Sequence, residues 1–364
     1  MNLPLRRRHF LHSLGLVVGG AGWNFGSAAL AGVARTRRAD GSRLKTALNA
    51  YSFSKLLNDH AKGRGAGLPL LQLCDFCARH DFDAVDLTGY FFPGYPEVPA
   101  DSVLFEVKRR AFDLGLDISG TGVRNNFTTA DRAVRAEGVR HIQHWVEVAA
   151  KLGAPVLRVF ADTQMKAQTW ETASGGAKRE QVEEWIAADL RTCAQHAAKF
   201  GVIIGVQNHG DFLKTGTEHL SLIQRVDSPW CGPIVDTGYY KSADPYADMA
   251  QVAPVTVNWQ IKESPFGAGH EVRTDLPRLL TLIRLAGYRG YLPIETLSAA
   301  GAEYDPFKVV PIFLAELRAA MEATSAVAPP AVAEEPSPAP VPTPAATPAK
   351  PARKPANKKT SPLQ

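Results

Sequence analysis

Several short apolar runs in this chain end on, or contain, residues able to pair with charge or grip a polar ligand. Arg158 interrupts Val156-Leu157-Arg158-Val159-Phe160, and Gln207-Asn208-His209 closes another run. Asp236-Thr237-Gly238-Tyr239 closes a third, Asn258-Trp259-Gln260-Ile261-Lys262-Glu263 forms a fourth, and Pro293-Ile294-Glu295-Thr296 ends a fifth. Side chains alternate across a strand, so Asn258, Gln260 and Lys262 share one face of their run, and Pro293 and Glu295 share one face of theirs. Polar groups inside apolar strands are costly unless they are paired or bind something. Arg124, Asn126, Arg158 and Lys262 are suited to hydroxyls, a carboxylate or a carbonyl through charge-assisted hydrogen bonds. For each of them the competing expectation is a structural ion pair.

The elements that must position these residues repeat regularly. Short runs of β-formers fall at about 46–53, 82–88, 116–123, 155–160, 202–207, 232–236, 255–261 and 291–296. Helical spacing fills the intervals: Trp145, Val148, Ala149 and Leu152 make one stripe, and Val182, Trp185, Ile186, Leu190 and Cys193 a second. Leu276, Leu279, Leu280, Ile283 and Leu285 make a third. Gly115, Gly153, Gly201 and Gly287 stand where helices need a left-handed terminal residue. Eight strand–helix units over a body of this length predict a (β/α)8 TIM barrel. A doubly wound sheet is the rival, but Ser54-Lys55-Leu56-Leu57-Asn58 after the first strand lacks its glycine-rich phosphate loop. In a barrel the polar strand ends gather at one mouth, where active sites lie.

The formal charge of +5 and the pI near 9.0 suggest a nucleic-acid binder until the charge is located. Residues 1–45 carry +7, residues 326–364 carry +3, and the body between them carries −5. A mildly acidic body argues against a polyanionic partner. Arg7-Arg8-His9-Phe10-Leu11 before a glycine-rich apolar stretch resembles a twin-arginine signal, with Ala29-Leu30-Ala31 as the cleavage site. The segment is too interrupted by glycine for a permanent anchor, and no other stretch is long enough to span a membrane. Residues 1–31 are thus expected to be a signal peptide read by the twin-arginine export machinery, 32–45 a linker and 46–325 the catalytic domain. Residues 326–364, with 11 of the 26 prolines, are expected to be a disordered tail. The expected location is periplasmic or secreted. Cys74 and Cys77 resemble a C-x-x-C motif but follow helical spacing towards a core; Cys193 and Cys231 leave a disulfide open.

The runs ending VQNH, VDTG, WQIK and PIE, in that order at barrel-strand spacing, resemble the xylose isomerase-like TIM-barrel family of sugar isomerases and epimerases, over about 46–322. The resemblance implies a divalent cation (Mn, Mg or Co) held at Gln207, Asp236, Gln260 and Glu295. It departs from the family at Gln207, where Glu is usual, so the set carries two formal negative charges rather than three. An amide oxygen still ligates a hard cation, with lower affinity expected.

The family's chemistry implies enolisation beside a carbonyl of a small sugar, with carboxylates as bases and the metal polarising the carbonyl. Gln207 cannot accept a proton, which leaves Glu295 as the main base and His209, Lys262 and Glu263 as its candidate partners. Arg124, Asn126, Arg158, Asn208, Tyr239 and Trp259 are the expected sugar-binding residues. Tyr90, Phe91, Phe92 and Tyr95 offer further rings for stacking, or for packing a loop. One-sided acid–base chemistry allows isomerisation through a cis-enediol. A lyase or hydratase acting on a keto-sugar is the first alternative, and a non-catalytic carbohydrate-binding barrel is the second.

Overall fold

The computed structural model of the protein describes residues 43–163, 168–297 and 303–328. The expected signal peptide, most of the linker and nearly all of the tail lie outside the described residues. Among the described residues eight strands alternate with ten α-helices. In chain order they are β1 (Lys45–Asn49), α1 (Ser54–Ala61), α2 (Leu70–Arg79), β2 (Ala84–Thr88), α3 (Asp101–Asp113), β3 (Asp117–Gly122), α4 (Arg132–Leu152) and β4 (Val156–Phe160). There follow α5 (Trp170–Ala173), α6 (Arg179–Ala197), β5 (Ile203–Gln207), α7 (Gly216–Val226), β6 (Cys231–Asp236), α8 (Pro245–Val252), β7 (Asn258–Lys262), α9 (Leu276–Leu285), β8 (Tyr291–Glu295) and α10 (Pro306–Ala323). All strand pairs are parallel, and β8 pairs with β1 to close the barrel.

Two strands are shorter at one end than their sequence signals. The run expected to continue to residue 53 stops at Asn49, whose side chain accepts a hydrogen bond from the Tyr51 N–H (2.8 Å) and turns the chain into a short 3-10 helix. The seventh strand starts at Asn258 rather than 255, because Ala253-Pro254-Val255 forms a 3-10 turn at the end of α8. Helix ends follow the local rules. Thr215 and Glu218 make a reciprocal capping box on α7, and Asp305 caps α10 ahead of Pro306. Gly153, at the end of α4, takes φ +83°, the left-handed turn its position calls for.

Between barrel and helices lies the apolar core. Outward strand residues such as Leu157, Val159, Ile204, Val206, Trp259 and Ile261 are fully buried against helix stripes that include Trp145, Ala149, Ile186, Leu190, Leu279 and Ile283. Leu285, expected in that last stripe, is exposed. Cys74, Cys77, Cys193 and Cys231 are all buried and free, so the pairing left open for Cys193 and Cys231 is not made. Burial raises all four thiols, Cys74 and Cys231 to about 12, which makes them packing residues rather than nucleophiles.

The barrel interior is unusual for its polarity. On β3, Gly120 and Gly122 leave room for it. A Cβ at Gly122 would stand 2.5 Å from the Arg158 guanidinium. One at Gly120 would stand 2.6 Å from Asp86 and 3.4 Å from the Asn258 amide across the barrel. Two glycines in one strand thus admit a guanidinium and a carboxylate where side-chain layers normally fill the space.

Candidate active site

At the C-terminal ends of β4 to β8 the interior residues form one connected network. Arg158, on β4, donates through Nη1 to Gln207 Oε1 on β5 (3.0 Å) and through Nη2 to the Tyr90 hydroxyl beyond β2. Gln207 Nε2 donates to Asp236 Oδ2 on β6 (2.6 Å) and to Gln260 Oε1 on β7 (2.8 Å). Lys262, two residues further along β7, places its ammonium 3.4 Å from Asp236 Oδ2 and donates to Glu295 Oε1 on β8. The register explains the last contact, since Lys262 lies directly beside Glu295 in the β7–β8 ladder. Each of these residues except Tyr90 is nearly inaccessible to solvent.

The Gln207 amide orientation follows from its partners. A guanidinium only donates, so it faces the amide oxygen, and a carboxylate accepts from the amide nitrogen. Burial works against the Lys262 ammonium, but Asp236 and Glu295 outweigh it and hold its pKa above the ordinary lysine value. Burial pushes the Asp236 carboxyl up, while Lys262, the Gly238 amide and Gln207 pull it back. Two fixed cations thus sit among the interior carboxylates.

One of those carboxylates, Asp86 on β2, stands in the strand-end run Asp86-Leu87-Thr88, and nothing in the sequence alone assigns it a role. It faces the interior, and burial pushes its pKa up to about 6, opposed by the charge of Arg158 and reinforced by that of Glu295. Tyr90, expected as a ring for stacking or for packing a loop, accepts from Arg158 while Arg124 lies over its face at 4.7 Å. Alternation within β2 marked the face of Asp86. Nothing local marked Arg158 as its neighbour.

The remaining expected site residues divide. Glu263 and Lys262 both line a cleft of about 210 Å³ with Glu295, His270, Arg273 and the Gly267–Gly269 turn. Glu263 is paired with Arg273 (3.1 Å) rather than with the network. His209 stacks on Tyr239 (centroids 4.3 Å apart) and meets Phe160 edge-on, and burial with nearby Lys262 and Arg158 pushes its pKa down to about 3. It is therefore a neutral ring at the mouth. Burial pushes Tyr239 up to about 12, and its ring faces the Lys262 ammonium at 5.6 Å. Arg124 is exposed at the rim; Asn126 is half-buried and accepts from Thr128 (2.9 Å).

Two expected sugar contacts are corrected by their surroundings. Asn208 is fully buried and clamps the Asp236 backbone, donating to its carbonyl (3.0 Å) and accepting from its N–H (2.8 Å). Trp259 points to the opposite face of β7 from Gln260 and Lys262 and packs edge-on against Tyr288 in the core. Phe91 and Phe92 are also core residues, and Tyr95 packs on Trp145. The loop they belong to is held by packing.

The four positions expected to hold a cation do come together, but their donor atoms do not converge as ligands. The Gln207 oxygen turns to Arg158, its N–H groups point at Asp236 and Gln260, and Lys262 holds both carboxylates. Among the described residues no group of three or more His, Cys, Asp or Glu side chains is placed to hold a metal ion. As arranged, the set does not fit a divalent cation.

The family described as xylose isomerase-like TIM barrel matches residues 74–310. Among solved structures the chain is similar to a 3-keto-D-glucoside 4-epimerase from E. coli, at 16% identity and a TM-score of 0.59, covering 76% of this chain and 99% of that one. A D-psicose 3-epimerase from Clostridium cellulolyticum H10 aligns at 14% identity and a TM-score of 0.60, covering 78% and 99%. An L-ribulose 3-epimerase aligns at 17% identity and a TM-score of 0.59, covering 77% and 97%. At such identities these likenesses speak for the fold alone. No curated protein matches the chain significantly.

Proposed function

The chain belongs to the xylose isomerase-like TIM-barrel family, and on that premise we propose that it moves a proton beside the carbonyl of a sugar or keto-sugar. The observation that carries this reading is the Lys262–Glu295 pair, buried at the ends of β7 and β8 and lining the cleft. A buried ion pair is a poor source of stability, because desolvation offsets much of the attraction. Charged residues kept at a barrel mouth at that cost suit a reaction better than a fold.

In this mechanism the sugar enters the cleft with its carbonyl oxygen towards Lys262. An ammonium has three N–H donors, and with Glu295 and Asp236 as partners one remains for the substrate oxygen. Glu295 removes the proton from the neighbouring carbon, the C–H electrons form the enediol double bond, and the carbonyl electrons move to the oxygen that Lys262 faces. The neighbouring hydroxyl passes its proton to that oxygen, Glu295 returns its proton to the former carbonyl carbon, and the new carbonyl forms at the carbon first deprotonated, an isomerisation with no change in net oxidation state. Arg158 and Gln207 orient Asp236, and His209 with Tyr239 supplies a neutral, partly apolar wall for the sugar ring.

A second reading is favoured by Gln207, whose amide cannot take a proton and is occupied on both ends. With one strong base, elimination from a keto-sugar, or hydration of the resulting enone, competes with two-base epimerisation. Incubation with a panel of keto-sugars in D₂O, followed by NMR, separates these. Deuterium appearing next to the carbonyl supports isomerase or epimerase chemistry, and enone formation or loss supports the lyase or hydratase. Binding with neither reaction leaves a carbohydrate-binding barrel and ends the enzyme reading.

The proposal extends to location: residues 1–31 direct export through the twin-arginine machinery. Fractionation of a bacterium expressing the chain with and without residues 1–31 tests this, and an equal cytoplasmic share for both forms excludes it.

A further inference from the structure

We infer that Lys262 takes the position of the divalent cation, so that the barrel binds no stoichiometric metal and the cation facing the substrate oxygen is part of the chain. The inference deepens the enolisation reading, and its second half rests on that reading.

Three observations carry it. First, the orientation of Gln207 is set by chemistry rather than by choice. Arg158 offers only donors, so the amide oxygen must face it, and this leaves the N–H groups towards Asp236 and Gln260. A cation among these residues would meet N–H hydrogens on the side where a ligand oxygen is needed. Restoring that oxygen would strip Arg158 of the acceptor on its Nη1, in a site where its Nε already has no hydrogen-bond partner.

Second, the ammonium stands where the ion would. Lys262 Nζ is in contact with both carboxylates of the expected set, Asp236 and Glu295, and its side chain is almost wholly buried. Asp236 and Gln260 are direct neighbours in the β6–β7 ladder and Lys262 and Glu295 in the β7–β8 ladder. The lysine therefore closes the ring of strand ends that a metal would otherwise close.

Third, little charge is left to attract a divalent ion. Arg158 and Lys262 supply +2 against −3 from Asp86, Asp236 and Glu295, a net of −1, and among the described residues no further charged side chain hydrogen-bonds to these interior groups. A divalent ion would be placed beside a guanidinium and an ammonium with only two carboxylates in reach, both already paired. The exchange of Glu for Gln at position 207 is what makes an internal monovalent cation sufficient. One negative charge fewer calls for one positive charge fewer.

The test uses the full chain freed of metal with EDTA and titrated with MnCl₂, following free Mn²⁺ by electron paramagnetic resonance. The expected result is less than a tenth of an equivalent bound at the protein concentrations used, with about a 100-fold gain in Mn²⁺ affinity for the double variant Gln207→Glu, Lys262→Met, which restores the carboxylate and removes the rival cation. One equivalent of Mn²⁺ bound to the unaltered chain overturns the inference outright. If the double variant does not fold, the unaltered chain decides alone. Deuterium exchange of a responsive keto-sugar should proceed at the same rate in EDTA as in Mn²⁺. A rate that collapses in EDTA and returns with Mn²⁺ also overturns the inference. Exchange absent in both buffers removes the enolisation reading instead, while the metal titration still decides which cation holds the site.

Discussion

The two sides of the barrel mouth satisfy their buried polar groups in different ways. On the β4–β5 side, Asp162 accepts backbone N–H groups from His209 (2.9 Å), Asp211 (2.9 Å), Phe212 and Leu213 (3.0 Å), which fastens the loop after β5. Asn125 and Asn208 do the same for the Phe160 and Asp236 backbones. On the β7–β8 side, the ion pairs of Lys262 and Glu295 among the described residues run side chain to side chain, to each other and to Asp236, beside an open cleft. A side chain bonded to backbone cannot leave without unmaking the fold. One bonded to another side chain can turn to a ligand. The contrast separates structural from reactive polarity better than burial does, since both sides are buried to the same degree.

The largest test of this contrast falls on the reactive side. Glu295→Gln should lower deuterium exchange by about 10²–10⁴-fold, the range for a positioned acid–base group, while circular dichroism stays native. Full activity in that variant would remove Glu295 as the base. The structural side should respond oppositely. Asp162→Ala orphans four backbone N–H groups, those of Phe212 and Leu213 buried and those of His209 and Asp211 part-buried, and should lower unfolding free energy by about 4 kcal/mol, with kcat per folded molecule changed little. A stable Asp162→Ala protein with lost activity would reverse the assignment of the two sides.

A further prediction concerns pH. His219, beneath the mouth on α7, must carry its proton on Nε2 to donate to the Val206 carbonyl (2.9 Å), and its Nδ1 then accepts from Tyr240 (3.0 Å). Burial pushes its pKa down to about 4, with the Val206 bond opposing. The unfolded chain takes up this proton near pH 6.5 and the folded chain only near pH 4. Stability is therefore fully present above pH 6.5 and falls through that window, by about 3 kcal/mol at most. Urea unfolding at pH 7 and pH 5 should show the loss, and His219→Gln should reduce it, leaving the part due to His209, which burial depresses in the same way. The smallest effect is expected at Trp259→Phe, which should cost about 1–2 kcal/mol of stability and leave the KM for a responsive sugar unaltered. A raised KM there would put Trp259 back at the site.

Much of this could be read without coordinates. Strand and helix periods carry the barrel because alternation and 3.6-residue spacing are local properties, and the VQNH, VDTG, WQIK and PIE runs are contiguous. Alternation also sets the face of Trp259, since it sits between Gln260 and Asn258 and must face away from both. Asp86 was harder, because a lone Asp in a strand gains meaning only from the Arg158 and Glu295 that closure brings near.

The sequence by itself determined the eightfold alternation, the face on which each polar residue lies and the Gln at position 207. Those follow from backbone geometry and residue chemistry within a few positions. Only the tertiary structure decided that the Gln207 oxygen turns to Arg158 and that the Lys262 ammonium lies between Asp236 and Glu295. The same types in the same order serve either a metal cage or an internal ion-pair network. The choice depends on distances between strand ends that are set when the β8–β1 ladder closes.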